Sequence, residues 1–391
     1  MFRMAVGHSD DIDLEVALEN VFNECDAALD GAQPRAALVY AAWDVDHQAV
    51  VDAALQRYPG IEIAGATAAG EMSSVIGLAE DSVALALFAS DTVEITAGLG
   101  RGLAEDPAAA TRDAVADARS KATTETRLCI ALPMVGGYDA AAVFAGLRAA
   151  LGPGVPILGG GASPEDPAAS LGITMSRQIV GDVVAEGAIA ILLFSGELAF
   201  SFGVETGWRG VGPRGVVTRA SPLGVLEIDG RPAIEFYERY VGLGQPPLGN
   251  PLAVYEDATL TRFYLRTPTS SDRETGLVGF FGVVPEGSVV QITTAGTDEI
   301  FEGTRASVGD ALARFPPGKT PSAALIYSCA TRRYLLGSRA GHEIELVRDA
   351  LGADVPVAGF YCLGEIAPSP ATVDRTQFHN ATLVSVLLGS S

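Results

Sequence analysis

The sequence predicts an α/β protein of two domains, in which mixed sheets are built on a repeated strand–helix–strand unit and helices cover the sheets. Three observations carry the prediction. The same order of apolar run, amphipathic stretch and second apolar run occurs three times. Each second run ends in a glycine with a glutamate six residues later, and a further apolar strand closes each copy. Strand, helix and strand at this spacing form a parallel crossover, right-handed by rule.

In order, the first copy opens at Ala37-Leu38-Val39-Tyr40 and continues through a helix with Val50, Val51, Ala54, Leu55 and Tyr58 on one face. Pro59 and Gly60 break that helix, Ile61 to Gly65 is the second strand, Glu71 follows, and Ser82 to Phe88 closes the copy. The second copy runs from Leu128 to Leu132 through a helix carrying Val143, Phe144, Leu147 and Leu151. It continues through Val155 to Gly159 and Glu165, and closes with Gly187 to Phe194. The third starts at Ala324-Leu325-Ile326-Tyr327, uses Ile344, Val347 and Leu351 on its helix, then Val355 to Gly359, Glu365 and Ala381 to Leu388. The closing strands are apolar on both faces, the pattern of a sheet covered on both sides. A strand–helix pair also precedes the unit twice, as Val93 to Thr96 before a helix over 107–121, and as Val289 to Thr294 before one over 303–315.

From Glu197 to about Phe301 the pattern changes to short alternating runs such as Gly215-Val216-Val217-Thr218 and Arg262-Phe263-Tyr264-Leu265. These read as antiparallel strands with one helix, Arg231 to Tyr240. The expected division is therefore a domain over 1–196 with two copies and a domain over 197–391 with the strand-rich insertion and the third copy. The segments 245–251 and 315–319 are the clearest hinge-like connectors.

Composition narrows the function. A net charge of −22 over 391 residues repels phosphate backbones and anionic lipid, so neither nucleic acid nor membrane insertion is expected. The N-terminal stretch has no apolar core of a secretory signal, and four cysteines without a CxxC spacing fit a reduced, cytoplasmic protein. Gly98-Leu99-Gly100-Arg101-Gly102 and Gly159-Gly160-Gly161 lack the spacing or the following helix of a nucleotide loop and read as turn glycines. No GxSxG, HExxH or assignable carboxylate dyad is present.

Two C-terminal runs carry a resemblance. Val357 to Ile366 with Phe378-His379-Asn380-Ala381-Thr382, and Tyr327-Ser328-Cys329-Ala330-Thr331-Arg332-Arg333, resemble the FIST C-terminal domain. Gly65 to Glu71 and Gly159-Gly160-Gly161-Ala162-Ser163 resemble the FIST N-terminal domain. The resemblance implies an intracellular sensory module of prokaryotic signalling that binds small molecules such as amino acids. Its output would pass through a separate signalling protein, such as a histidine kinase. Haem binding with nitric-oxide sensing is the alternative that the resemblance also implies, and His379 is then the candidate iron ligand.

The loops after the three glycines hang from the carboxyl ends of parallel strands, where open α/β sheets place ligands. Glu365 is the first candidate for holding an ammonium or basic group, with Cys329, Arg332, Arg333, Tyr361, Gly364 and Asn380 completing a polar pocket. Thr67, Glu71, Ser163 and Glu165 are secondary candidates. The competing reading is that each glutamate locks its own turn. A buried carboxylate needs a partner, and Arg332 and Arg333 are the expected ones for Glu365. Cys329 beside two arginines raises a third possibility, a thiol- or carboxylate-dependent hydrolase, although no histidine motif supplies a base. No metal site and no resident cofactor is expected outside the haem alternative. His8 is expected to flank a helix cap made by Ser9 or Asp10.

Overall fold

The computed structural model describes residues 2–136, 140–163, 176–242, 244, 247–369 and 372–391, without the side chains of 372–375. The first unit comprises β1 (Phe2–Ser9), α1 (Leu14–Leu29), β2 (Ala36–Ala42), α2 (His47–Arg57), β3 (Glu62–Ala68), β4 (Glu71–Ser73), β5 (Gly77–Ala79) and β6 (Val83–Ser90). The second comprises β7 (Val93–Arg101), α3 (Pro107–Ser120), β8 (Thr126–Pro133), α4 (Ala140–Leu151), β9 (Ile157–Gly160), β10 (Arg177–Val180), β11 (Val183–Glu186) and β12 (Ala188–Gly196).

The third unit begins with β13 (Leu198–Glu205) and is then interrupted by an insertion. Its elements are β14 (Arg209–Gly210), β15 (Gly215–Ser221), β16 (Gly224–Ile228), β17 (Arg231–Pro232), α5 (Ala233–Val241), β18 (Leu252–Tyr255), β19 (Phe263–Arg266), β20 (Pro268–Asp272), β21 (Leu277–Phe280) and β22 (Val289–Thr294). The unit resumes with α6 (Thr297–Arg314), β23 (Ala323–Cys329), α7 (Ala330–Leu336) and α8 (His342–Leu351). It ends with β24 (Val357–Cys362), β25 (Glu365–Ser369), β26 (Thr372–His379) and β27 (Leu383–Ser390).

Each unit builds a four-stranded core in the same order, β1-β6-β2-β3, β7-β12-β8-β9 and β13-β27-β23-β24. The three crossovers β2/β3, β8/β9 and β23/β24 are parallel, as the repeat predicts. Period-two alternation then divides each strand between two cores. Leu38, Tyr40, Ile130, Leu132, Leu325 and Tyr327 face a central cluster shared by all three sheets. Their neighbours Val39, Ala131 and Ile326 face outward, onto α1 and α2, onto α3 and α4, and onto α6 and α8 respectively. Tyr40 and Tyr327 meet at the centre, hydroxyl to hydroxyl at 3.1 Å.

The sheets are completed by exchange. The hairpin β10–β11 of the second unit extends the first sheet, β25–β26 of the third extends the second, and β4–β5 of the first extends the third. The exchange is cyclic, so strands cross the expected division at residue 197 in both directions.

Three expectations change. The lead strand of the third unit is β13, not Val289 to Thr294, which is β22 of the insertion sheet. Gly98 and Gly100 are not turn residues; they lie inside β7, where a Cβ would collide with the Ala114 and Ala110 carbonyls of α3. The cap of α1 is Asp13, and His8 is buried within β1. Of the hinge-like segment 245–251, Gln245 and Pro246 lie outside the described residues.

Candidate functional site

The first and third Gly-to-Glu loops leave the carboxyl ends of their own parallel strands and cross to a neighbouring sheet, and the second, described as far as Ser163, runs alongside both. The loops therefore meet, though they lie far apart in the chain. Ala69 N donates to Tyr361 O at 2.9 Å and Tyr361 N to Gly70 O at 2.9 Å. Ser163 N donates to Thr67 O at 2.8 Å, Gly161 N to Gly364 O at 2.9 Å, and Leu363 N to Gly161 O at 3.1 Å. Gly364 has a φ of +84° and a Cβ there would sit 2.0 Å from the Phe378 ring, so no other residue fits this crossing.

Glu365 opens β25 and is fully buried. Its Oε2 accepts from Thr382 N at 3.0 Å and Thr382 Oγ1 at 2.6 Å, and Cys362 Sγ lies 3.5 Å from Oε1. Burial raises its carboxyl to about 7, against the lowering by Thr382 and by the thiols of Cys329 and Cys362. The expected pairing of Glu365 with Arg332 or Arg333 does not occur. Arg332 rides on α7 to the outer face of the sheet. There its Nε and Nη2 reach Glu343 Oε1 at 3.0 and 2.6 Å, and its Nη1 reaches Thr206 O at 2.5 Å. Nη2 also reaches Ile300 O at 2.9 Å and Thr304 Oγ1 at 2.8 Å. Tyr361 joins that cluster, donating to Glu343 Oε2 at 2.6 Å. Arg333 pairs with Glu80 and donates to the Ala69 carbonyl. Asn380 accepts from Thr267 N at 3.0 Å and donates to His379 O at 2.8 Å, which fastens the insertion to the last loop. The candidates thus occupy four separate polar groups rather than one pocket: Glu365 with Cys329, Arg332 with Tyr361, Arg333, and Asn380.

Glu71 is the counterpart of Glu365 in the first unit. It accepts from Ser82 Oγ at 2.5 Å, and Ser82 stands just before β6 as Thr382 stands just before β27. Each glutamate thus reaches from the exchanged hairpin back to a hydroxyl at the entry of its own closing strand. Ser82 Oγ also contacts His8 Nε2 at 2.8 Å, and His8 Nδ1 contacts Ser73 Oγ at 2.8 Å. With Ser82 donating to the carboxylate, its oxygen accepts from His8 Nε2–H, and Nδ1 accepts from Ser73. Glu71 Oε1 has no hydrogen-bond partner among the described residues. Burial raises the Glu71 carboxyl to about 8 and lowers His8 to about 4, Asp10 opposing the latter. Thr67 Oγ1 donates to Ser163 O at 2.5 Å and accepts from Arg177 N at 3.2 Å, tying the first two loops. Glu165 lies outside the described residues.

His8, Ser82, Thr382 and Glu343 are the members that motif reading misses. The signal for Ser82 and Thr382 was present, a hydroxyl immediately before an apolar closing strand in two of three copies. His379 is buried, its Nε2 bonded to the Ala367 carbonyl at 3.1 Å, and burial lowers it to about 4. That bond fixes β25 to β26 and commits one ring nitrogen of His379. Cys329 pairs in register with Cys362 at the ends of β23 and β24, and burial beside Glu365 pushes its thiol up to about 12. A thiol held protonated is a poor nucleophile. Cys329 is therefore expected to stay unmodified by iodoacetamide at pH 7.5 in the native protein over hours, while urea-unfolded protein reacts at all four cysteines. Peptide mass spectrometry reads the difference, and rapid native labelling of Cys329 would contradict this placement.

A family model of the FIST N domain matches residues 35–231, and one of the FIST C domain matches residues 233–368. No curated protein matches the chain. Among solved structures, a cyanuric acid hydrolase from A. caulinodans aligns over 100% of this chain and 99% of its own, at 10% identity and a TM-score of 0.36. A chorismatase aligns over 100% and 98%, at 12% identity and a TM-score of 0.39. Likenesses this slight carry no inference about chemistry. The two family models between them take in both the Thr67–Glu71 loop and the Gly359–Glu365 loop, and the chain belongs to the FIST family, a FIST N domain followed by a FIST C domain.

Proposed function

We propose that the protein is a cytoplasmic sensory module that binds a small polar ligand, an amino acid or similar ammonium-bearing metabolite, where the three Gly-to-Glu loops meet. Occupancy would be passed to a separate signalling protein such as a histidine kinase. FIST domains are known sensory domains, which supports the general reading. One observation carries the particular one. Glu71 and Glu365 are buried carboxylates that bond hydroxyls and thiols but no cation, and one oxygen of Glu71 bonds nothing among the described residues. The nearby guanidinium groups are committed elsewhere, Arg332 to Glu343 and Arg333 to Glu80. A ligand ammonium group is the partner that such a carboxylate lacks.

Because these side chains are buried, a ligand enters by parting the loops. Each loop leads into a hairpin paired with another unit's sheet, so parting them shifts the contact between units. That is the proposed route of the signal to the partner. The reading is tested by differential scanning fluorimetry and calorimetry against the amino acids and small primary amines. At a hundredfold excess over Kd a ligand adds about 2.7 kcal/mol of stability, which raises the melting temperature by several degrees. Glu365→Gln is expected to abolish that rise for the binding compound. If no compound stabilises the wild type, or Glu365→Gln responds equally, this site is wrong.

A further inference from the structure

The junction between the first and second units differs from that between the second and third by one carboxylate. Antiparallel pairing leaves alternate backbone groups of β7 and β13 pointing away from β12 and β27, their only sheet neighbours among the described residues. At the first junction, the outward groups of Ala97 are satisfied across the unit boundary. Ala97 N donates to Glu62 Oε2 at 3.0 Å, Ala97 O accepts from Lys121 Nζ at 2.9 Å, and Lys121 pairs with Glu62 at 3.1 Å.

The second junction can be aligned with it residue by residue. A Cβ at Gly98 would strike the Ala114 carbonyl of α3, and one at Gly203 the Ser307 carbonyl of α6. Ala97 and Phe202 each precede those glycines, and Lys121 and Arg314 each stand seven residues past those carbonyls. Both cations also have an aspartate one helical turn back, Asp117 and Asp310. Glu62 stands three residues before Gly65, and Pro156 three before Gly159. Arg314 Nη1 still reaches Phe202 O, at 3.4 Å, but proline replaces the carboxylate. Phe202 N has no acceptor among the described residues.

In place of the carboxylate there is a groove of about 400 Å³ lined by Gly154, Pro156, Phe200, Phe202, Arg314 and Ser369. It continues past Gly154 and Phe200 into a second concavity of about 260 Å³ beside Arg127. The exposed Arg127 side chain has no hydrogen bond or ion pair among the described residues. The groove lies at the amino ends of β8 and β9, the end of the molecule opposite the Gly-to-Glu loops.

We propose that this groove binds a small organic carboxylate with an aryl or branched-alkyl body. Its carboxylate would take the place that Glu62 fills at the other junction, between Phe202 N–H and the Arg314 guanidinium. The apolar body lies on Phe200 and Pro156. The ligand must compete with Asp310 for Arg314, but both members of that pair are about half exposed, and such a pair holds weakly. In a chain of net charge −22, an anion is drawn to few places, and this one combines a cation, a free amide donor and an apolar floor. The proposal is independent of the ligand site at the loops.

The test uses phenylacetate and its neutral analogue phenylacetamide on the full chain with selectively ¹⁵N-labelled phenylalanine. That labelling gives 15 amide signals, with Phe202 assigned by its loss in Phe202→Leu. Millimolar phenylacetate is expected to move the Phe202 amide downfield in a saturable way, and phenylacetamide to bind at least tenfold more weakly. Arg314→Gln is expected to weaken phenylacetate at least tenfold. Pro156→Glu restores the internal carboxylate and is expected to abolish binding while keeping or raising the melting temperature. If Pro156→Glu does not fold, Arg314→Gln and the neutral analogue carry the test. A Phe202 amide that does not respond, equal binding of the amide, or undiminished binding by a folded Pro156→Glu would each overturn the proposal.

Discussion

Arg332→Ala is expected to lower the free energy of unfolding by about 3–5 kcal/mol, the largest effect of any single substitution among the candidate residues. The guanidinium is fully buried and bonds Glu343, Thr304 and the carbonyls of Thr206 and Ile300. It ties α7 to α6, α8 and the strand end before the insertion. Removing it leaves Glu343 as a buried charge with only the hydroxyls of Thr304, Ser328 and Tyr361 for partners among the described residues. It also leaves two buried carbonyls without donors, and each such loss counts. Urea unfolding monitored by circular dichroism reads the midpoint. The control is the double variant Arg332→Met with Glu343→Met, which removes both charges together. It should recover a large part of the loss, because a buried ion pair replaced by apolar groups of similar volume is often near neutral. If Arg332→Ala unfolds at the wild-type midpoint, the cluster does not stabilise the fold in the way its geometry indicates.

The same residue shows how far the sequence could be read. Arg332 lies three residues past Cys329, and proximity alone places it beside the end of its strand and hence near Glu365. But α7 begins at Ala330 and turns the side chain to the face that packs on α6 and α8, while Glu365 has crossed to the sheet of the second unit. Strand ends do converge here, though not those two side chains. The unit itself was legible because its strands are apolar on both faces and its breakers sit at fixed places. The helix faces with Val143, Phe144 and Leu147, and with Ile344 and Val347, are buried as their periodicity predicts.

The exchange of hairpins was not legible. The strand Glu71–Ser73 is three residues long, and it pairs with Ala358 to Phe360, far along the chain, so periodicity has nothing to report about its partner. The insertion hid the third lead strand for a related reason. Roughly a quarter of the chain separates β13 from α6, and β22, adjacent in sequence, took its place in the reading. The glutamate motif and the hydroxyl before the closing strand were both visible, whereas the bond between them was not. Glu365 and Thr382 are 17 residues apart, with a whole hairpin between them.

Those two anchors lead to the second large effect, on stability as a function of pH. An acid whose pKa is raised on folding contributes stability that is full below its unfolded value, near 4.5, and is lost as pH rises through its folded value. Glu71 rises to about 8 and Glu365 to about 7, both by burial. Three histidines work the other way. His8, His47 and His379 are lowered to about 4, so their neutral burial destabilises the fold in acid and that loss disappears as pH rises through about 6.5. The two effects oppose one another between about pH 4.5 and 7.5 and cancel in part. Between pH 6.5 and 8 the glutamate loss is the larger effect, and the histidines, half protonated in the unfolded chain at pH 6.5, return part of it until about pH 7.5. Above about pH 9 the buried thiols add a further loss, since burial holds Cys25, Cys129, Cys329 and Cys362 protonated in the fold. For each glutamate still protonated in the fold, a rise of one in pH costs up to about 1.4 kcal/mol. The two glutamates together lose about 2–3 kcal/mol from pH 6.5 to 8 and the three histidines return about 1 kcal/mol, so wild-type stability is expected to fall by about 1–2 kcal/mol. Gln is a neutral isostere of the protonated acid, so Glu71→Gln should be near the wild type at pH 5 and more stable than it at pH 8. The combined Glu71→Gln, Glu365→Gln variant should lose that fall and instead gain about 1 kcal/mol across the window as the histidines finish titrating. Urea midpoints at four pH values between 5 and 8 separate the curves. Parallel curves for the wild type and Glu71→Gln would mean that the carboxylate ionises in the fold as it does in the unfolded chain. A partner for Glu71 Oε1 would then have to be sought inside the folded protein.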